Sequence, residues 1–225
     1  MRSSVSRLLS WCAVALGLLP LSTPARADLV GHWRFDEALG STIASDSTAN
    51  HYDGTLFGGS SLVAGGVFGN ALSLNGTTGY VSMGHVLDFA AGESFTVSAW
   101  VKTEATAGAA VVGNHRSSVS AGYILGVNDL GGGGPNKANL YATSGSNWAV
   151  STASVNDGVA WHLITGTYQG PAKELSIYVD GVLSGSATST LNMVSSDAPL
   201  LVGAFWNYSG SPMAFYSGLI DDVRI

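Results

Sequence analysis

The chain has 225 residues, a formal net charge of −6 and one cysteine. A single cysteine excludes a disulfide scaffold and a multi-thiolate zinc site, and the acidic balance argues against a nucleic-acid partner. The 30 glycines and the charged fraction of 11% favour strands and tight turns, and the length suits one all-β domain or a short pair of smaller ones.

The first 27 residues predict a secretory signal peptide. Arg2 and Arg7 form a positive n-region, Leu8 to Leu21 is an apolar core, and Ala25-Arg26-Ala27 fits a cleavage site. The apolar run is too short to span a bilayer stably, and a buried N-terminal helix is the alternative. We therefore expect export from the cell, with residues 28–225 as a secreted domain that has no membrane anchor.

Alternating apolar and polar residues predict strands throughout residues 28–225. Phe95–Lys102 and Leu175–Asp180 alternate with period two, and Asp180-Gly181 predicts a two-residue hairpin turn before Val182. About a dozen short strands predict two packed antiparallel sheets, a sandwich or jelly roll. The other predicted strands are Leu29–Phe35, Ala71–Leu74, Gly79–Met83, Ala110–Gly113, Tyr123–Val127, Ala138–Ala142, Trp161–Tyr168, Leu200–Gly203 and Gly218–Ile225.

Two carboxylates are expected to lie among apolar side chains. Glu37 falls on the same predicted face of the first strand as Trp33 and Phe35. One predicted face of the last strand carries Leu219, Asp221, Val223 and Ile225. A buried carboxylate needs hydrogen-bond donors or a cation, so both positions are candidates for a metal site.

The loop between residues 44 and 54 carries oxygen-bearing side chains at alternate positions. Asp46, Thr48 and Asn50 resemble the start of a Ca²⁺ loop, because hard cations require several oxygen ligands on a tightly turned chain. The loop is not an EF-hand, since Phe57 would occupy the twelfth position and no helices flank it. The alternative is that Asp46 and Asn50 only form Asx turns.

Seven segments cover nearly all of residues 29–225 in a familiar order. They are Trp33–Glu37, Asp46–Gly54, Gly69–Gly76, Phe95–Lys102, Trp161–Leu163, Tyr178–Gly181 and Gly218–Ile225. In this order they resemble the laminin G-like jelly-roll family in its bacterial concanavalin A-like form. The resemblance implies an all-β, two-sheet antiparallel jelly-roll sandwich of the concanavalin A type.

The resemblance also implies a structural Ca²⁺ ion that joins the 46–54 loop to the last strand. The chain departs from the family at Ala49 and His51, where glycine is usual, so the loop is expected to be less tightly wound. It also stops at Ile225, where the family usually continues, and we expect a fragment or the first domain of a larger protein. The implied ligands are Asp46, Asn50 and Asp221, with Glu37 and Asp53 as further candidates.

No catalytic constellation is evident, and we expect that the protein is not an enzyme. A retaining glycosidase needs two carboxylates about 5–5.5 Å apart, yet the four glutamates lie on four different segments. There is no Gly-x-Ser-x-Gly elbow, and the histidines lack zinc-ligand spacing.

Aromatic residues in loops are the best candidates for glycan contacts. Trp148 and Trp206 fall in polar or glycine-rich segments, with Asn207 and Tyr208 beside the second, and Arg116 could pair with an acidic sugar. The alternative is that these rings cap the ends of the sandwich. The core is expected to contain Trp33, Trp100 and Trp161.

Two hypotheses from different classes remain. The first is a secreted, lectin-like, Ca²⁺-assisted module that binds a glycan or polysaccharide without catalysis. The second is a structural or adhesive extracellular domain that binds protein partners, and a glycoside hydrolase is a distant third. The fold alone does not decide between them.

Overall fold

A computed structural model of the chain describes residues 28–116, 120–130, 133–142, 147–207 and 209–225. The predicted signal peptide lies outside the described residues. In the part of the chain that is described, no helix is both long enough and apolar enough to cross a membrane.

Eighteen short strands account for the regular structure of the described residues. They are β1 (His32–Trp33), β2 (Ile43–Ala44), β3 (Gly54–Phe57), β4 (Ser60–Ala64), β5 (Asn70–Asn75), β6 (Tyr80–Gly84), β7 (Phe95–Lys102), β8 (Ala109–Gly113), β9 (Ile124–Val127), β10 (Lys137–Tyr141), β11 (Ala149–Ser154), β12 (His162–Gln169), β13 (Glu174–Val179), β14 (Val182–Thr188), β15 (Leu200–Val202), β16 (Phe205–Trp206), β17 (Pro212–Met213) and β18 (Ser217–Arg224).

The strands form two antiparallel sheets of eight and a small two-stranded ribbon. Sheet A has the order β14-β13-β12-β7-β18-β5-β4, with β1 also paired to β18. Sheet B has the order β11-β10-β9-β8-β15-β6-β3-β2, and β16 pairs with β17. The predicted all-β jelly-roll sandwich is therefore confirmed.

The main core lies between the two sheets, and strand alternation fills it. In β7, Phe95, Val97, Ala99 and Val101 are buried while the residues between them are not. Trp33 is fully buried as predicted. The prediction is wrong for Trp100 and Trp161, which are only half-buried. Trp100 faces outward because its neighbours Ala99 and Val101 point inward.

A bulge in β18 changes which side chains of the last strand reach the core. Pairing with β7 is irregular between Asp221 and Arg224, and Asp222 has a φ of 50°. The bulge breaks the simple alternation, so the predicted face is wrong beyond Asp221. The side chains of β18 and its end that join the main core are Ile220, Val223 and Ile225. Asp221 alternates with Ile220 and points to the outer side of sheet A.

Candidate functional site

Asp46 lies buried at the centre of the 44–54 loop. Its Oδ1 accepts the N–H groups of His32 and Thr48, each at 2.9 Å. Its Oδ2 accepts the Tyr52 N–H at 3.0 Å and the Thr48 hydroxyl at 2.8 Å. Burial raises the pKa of Asp46, but these donors outweigh it and hold the pKa below its ordinary value. The Thr48 N–H contact is the Asx turn that the sequence offered as the alternative.

The other two predicted ligands of this loop also make contacts that hold the loop together. Asp53 Oδ1 accepts the Asp46 N–H at 2.8 Å, and the Asn50 side-chain amide donates to the Val30 carbonyl at 2.8 Å. Both side chains are exposed. They close the loop and attach it to the N-terminal segment.

Asp221 and Glu37 differ from Asp46, because each has one buried oxygen without a hydrogen-bond partner among the described residues. Asp221 is fully buried, with Oδ2 accepting the Phe68 N–H at 3.0 Å and Oδ1 unsatisfied. Burial raises the pKa of Asp221, and the charge of Asp222 adds to this rise. Glu37 Oε1 accepts the Ser45 N–H at 2.6 Å, while Oε2 is unsatisfied.

Gly66 is required where the chain passes beside Asp221 and Asn70. A Cβ on Gly66 would stand 2.1 Å from the Asn70 carbonyl oxygen and 2.7 Å from Asp221 Oδ2. Unsatisfied carboxylate oxygens and a main-chain carbonyl near Asp221 are the kinds of ligand that a hard cation binds. No group of three or more His, Cys, Asp or Glu side chains converges on a metal position within the described residues, so carbonyls or waters would have to complete the shell. Asp46 does not fit as a ligand, because donors surround both of its oxygens.

His32 contacts both a serine and an aspartate. Its Nε2 is 2.6 Å from Asp222 Oδ1, and its Nδ1 is 2.9 Å from Ser47 Oγ. Ser47 Oγ also lies 3.1 Å from the His32 carbonyl oxygen, to which its hydroxyl can donate. Asp222 also pairs with Arg224 at 2.8 Å. The network joins β1, the 44–54 loop and β18.

The outer face of sheet B carries a second, aromatic cluster. Ala110, Ile124, Tyr141 and Phe205 pack together apart from the main core. Because Leu125 and Leu140 belong to the main core, their neighbours Ile124 and Tyr141 must point to the outer face.

We call His115, Tyr141, Trp148 and Phe205 the aromatic platform. The Trp148 and His115 rings each lie 4.9 Å from the Tyr141 ring, between centroids, and His115 lies 5.6 Å from Phe205. Burial lowers the pKa of His115 to about 4, so its ring is neutral at physiological pH. The predicted ligand residue Trp148 is half-buried in this platform.

Trp206 follows the platform residue Phe205 and lines a hollow with Arg116. The two residues are bridged through their backbones, and together with His85, Pro199 and Gly210 they line a hollow of about 240 Å³. Arg116 Nη1 lies 2.9 Å from Asp197 Oδ2, and both side chains are solvent-accessible. The hollow therefore combines an indole ring with a guanidinium, and the Asp197 carboxylate pairs with that guanidinium.

The remaining predicted ligand residues are less available. Asn207 Oδ1 accepts the Ser209 N–H at 2.8 Å, the Ser209 hydroxyl at 2.8 Å and the Ser211 N–H at 3.0 Å. That oxygen closes the turn between β16 and β17. Tyr208 lies outside the described residues. Of the five predicted ligand residues, the structure thus places Arg116 and Trp206 together, with Asn207 beside them and Trp148 on the platform.

A second aromatic group on sheet B was missed by sequence reasoning. Phe57 stacks on Tyr80 with centroids 5.1 Å apart, and Tyr80 lies 6.4 Å from Phe215. Tyr80 faces outward because the next residue, Val81, is in the main core. The sequence does contain a signal for this group, because Tyr80 is an aromatic residue at a position of β6 where the alternation would place a polar side chain.

Comparisons with known proteins agree with this architecture. The family model described as the concanavalin A-like lectin/glucanases superfamily matches residues 75–225. No curated protein matches the sequence.

Solved structures share the fold at low identity. Domain 4 of AbnA, a GH43 extracellular arabinanase from Geobacillus stearothermophilus in complex with arabinotriose, has a TM-score of 0.63 and 22% identity over 89% of this chain and 92% of its own. The binding domain of Paraclostridial Mosquitocidal Protein 1 has a TM-score of 0.62 and 14% identity over 87% of this chain and 48% of its own. The botulinum neurotoxin serotype D binding domain has a TM-score of 0.59 and 11% identity, over 87% of this chain and 47% of its own. The chain spans about half the length of these two toxin chains.

Proposed function

Because the chain belongs to the concanavalin A-like lectin/glucanases superfamily, we propose that it is a carbohydrate-binding module without catalytic activity. The proposed site is the hollow that Arg116 and Trp206 line, at the end of sheet B where β6 and β8 end and β15 begins. The observation that carries the proposal is an indole ring beside an accessible Arg116–Asp197 pair, next to the aromatic platform.

These groups match the chemistry of a sugar ring. The faces of aromatic rings carry partial negative charge and favour contact with the C–H groups of a pyranose or furanose. Arg116 donates and Asp197 accepts, so the pair can bind neighbouring sugar hydroxyls from both sides. The arabinotriose complex of the similar arabinanase domain supports the same ligand class.

The acidic residues support the absence of catalysis. The only carboxylate residues that are buried in the described part of the chain are Asp46, Asp221 and Asp222. Asp46 accepts four hydrogen bonds, and Asp222 is held by His32 and Arg224. Asp221 has no exposed surface at all, so it cannot reach a substrate.

A glycan panel tests the proposed function. The full chain is expected to bind saturably to at least one class of oligosaccharide or polysaccharide, arabinotriose being one probe. Binding is expected without any release of reducing sugar on prolonged incubation. Failure of a demonstrably folded protein to bind any member of a broad panel would contradict the proposal, and release of reducing ends would show a hydrolase.

The second candidate function is adhesion to a protein partner outside the cell. Leu39 is 61% exposed shortly before the short edge strand β2 of sheet B, and Ile43, which lies in β2, is 43% exposed. Apolar side chains next to an open sheet edge favour contact with another chain. Both candidate functions are compatible with secretion, and we retain in the proposal the signal peptide that residues 1–27 predict. Expression of the full chain, followed by mass measurement of the secreted protein, tests whether this segment is cleaved and the protein exported.

We further propose a structural Ca²⁺ ion bound by Glu37 and Asp221. Their unsatisfied buried oxygens support it, and the Asn70 carbonyl is a further candidate ligand. Asp46 and Asp53 shape the adjacent loop rather than bind the ion. A bound divalent cation would neutralise the carboxylate charge that burial at Asp221 disfavours.

Calcium is expected to raise the thermal unfolding temperature of the protein. A ligand at 100 times its Kd stabilises the native state by about 2.7 kcal/mol, which corresponds to a rise of about 5 °C or more in a chain of this size. The measurement is calorimetric unfolding in excess Ca²⁺ and in chelator.

The Asp221→Asn variant is the control for this prediction. In chelator it is expected to be at least as stable as the wild type, because the substitution removes a buried carboxylate whose pKa is raised by burial. In Ca²⁺ it should not gain the stability that the wild type gains. An unchanged wild-type unfolding temperature, or an equal gain in the variant, would rule out the proposed ligands.

A further inference from the structure

A groove of about 790 Å³ crosses the outer face of sheet A, on the opposite sheet from the hollow of Arg116 and Trp206. Its volume lies within the range of small-molecule binding sites. The groove's floor side chains come from three adjacent strands and are neutral and polar: Thr96 and Ser98 of β7, Thr167 and Gln169 of β12, and Tyr178 of β13.

The walls of the groove are fixed by the fold. The segment Asp28–Val30 forms one wall and is tied to the end of the last strand, with the Val30 N–H donating to the Ile225 carbonyl at 2.8 Å. Phe89 also lines the groove and stacks on Phe95 with centroids 4.7 Å apart and planes 2° from parallel. The groove is therefore formed before any ligand arrives, which reduces the entropic cost of binding.

The floor carries polar groups that the fold does not use. Within the described residues, the side chains of Thr96, Ser98, Thr167, Gln169 and Tyr178 make no hydrogen bond to other side chains or to the backbone. These free donors and acceptors are available to a ligand.

The strand register places these groups in rows. Thr96 is opposite Thr167 on the neighbouring strand. The next row of outward-pointing side chains consists of Ser98, Thr165 and Tyr178, one on each of three neighbouring strands. Neighbouring strands are about 4.8 Å apart, so a linear ligand lying across them would meet a hydroxyl on each strand. The half-buried Tyr178 ring adds an aromatic face to the same row.

The charges of the groove select an uncharged ligand. Asp28 and Arg224 are the charged lining residues, they are opposite in sign, and Arg224 also pairs with Asp222 at 2.8 Å. The formal charges of the lining side chains thus sum to zero, although the whole chain carries −6. Neither a polyanion nor a basic peptide finds complementary charge here.

We propose that this groove is a second glycan-binding site, which takes an uncharged linear oligosaccharide across β7, β12 and β13. It is independent of the site proposed on sheet B, because no lining residue is shared between the two. A chain with sites on both faces can contact two glycan strands at once, which raises its avidity for a polysaccharide surface.

Chemical-shift mapping of the ¹⁵N-labelled full chain tests the inference. The probes are neutral trisaccharides: arabinotriose, cellotriose, xylotriose and laminaritriose. At least one is expected to shift amide signals of β7, β12 and β13, and these shifts should persist in Trp206→Ala. The Ser98→Ala/Thr167→Val variant removes two hydroxyls at nearly constant volume and should weaken this binding about tenfold. Thr167→Arg should block it.

The outcomes separate the two sites. Shifts confined to residues around Trp206 would overturn the second site and leave the proposed function intact. Shifts confined to the groove would support the second site and contradict the placement of the first. Equal affinity in the wild type and in both groove variants, or no shifts with any of the four probes, would also overturn the inference.

Discussion

Replacing Asp46 by alanine is expected to lower the free energy of unfolding by about 4 kcal/mol. The substitution leaves three backbone N–H groups and the Thr48 hydroxyl without their acceptor in a buried loop. Hydrogen bonds to charged groups are worth about 1.5–3 kcal/mol each, and an unsatisfied buried donor pays its desolvation cost. Denaturant unfolding monitored by tryptophan fluorescence measures the change.

The control for Asp46 is its neighbour Asp53. Asp53 is exposed and accepts one backbone N–H at 2.8 Å, so Asp53→Ala should cost only about 1 kcal/mol. An equal loss in both variants would contradict the central role of the Asp46 carboxylate. Asp46→Ala is expected to lower the free energy of unfolding in chelator as well. Loss of a bound calcium ion therefore cannot account for the decrease.

The Asp46 effect should depend on pH in a defined direction. Its pKa in the folded protein is lowered from the ordinary value of 3.8. The ionised carboxylate therefore contributes stability above the unfolded pKa, and this contribution is lost as the pH falls through the folded value. The difference in stability between wild type and Asp46→Ala should narrow below about pH 3.8. A constant difference down to lower pH would contradict this assignment.

Replacing Trp206 by alanine is expected to weaken glycan binding at the sheet B site at least about tenfold. Aromatic rings at the centre of a binding site commonly contribute 2 kcal/mol or more, and about 1.4 kcal/mol corresponds to a factor of ten. Trp206 lines the hollow with Arg116, so both the stacking surface and one wall are lost. Isothermal titration with the tightest ligand of the glycan panel gives the affinity.

Trp161→Ala provides a matched control for Trp206. Trp161 is also half-buried, but it directly precedes β12 of sheet A and does not line the hollow. It is expected to leave affinity unchanged while costing a comparable amount of packing. If Trp161→Ala and Trp206→Ala reduce affinity equally, the loss reports general destabilisation and the proposed site is wrong.

Much of the fold followed from strand alternation. Phe95–Lys102 was predicted at its observed bounds, and Asp180-Gly181 forms the predicted hairpin turn with φ of 52° and 79°. The sequence did not predict strands that lack regular alternation of apolar and polar residues. Examples are β4 at Ser60–Ala64 and β11 at Ala149–Ser154. These strands are set by pairing with neighbours rather than by their own pattern.

The sites were less predictable, because their contacts join distant parts of the chain. Arg116 and Asp197 are 81 residues apart, and no local signal pairs them. The bulge at Asp222 reversed the expected face of the last strand, since a positive φ at a non-glycine residue leaves no composition signal. The sequence indicated which carboxylates could matter. It did not indicate which of them accept hydrogen bonds at both oxygens and which keep an oxygen without a partner.

The most direct test of the central claim is a crystal structure of the protein with the tightest oligosaccharide of the glycan panel. The proposed function predicts a sugar ring packed against the Trp206 indole, with its hydroxyls bonded to Arg116 and Asp197. Electron density for the sugar at a place that excludes all three residues would contradict the assignment of the site to the hollow at the end of sheet B.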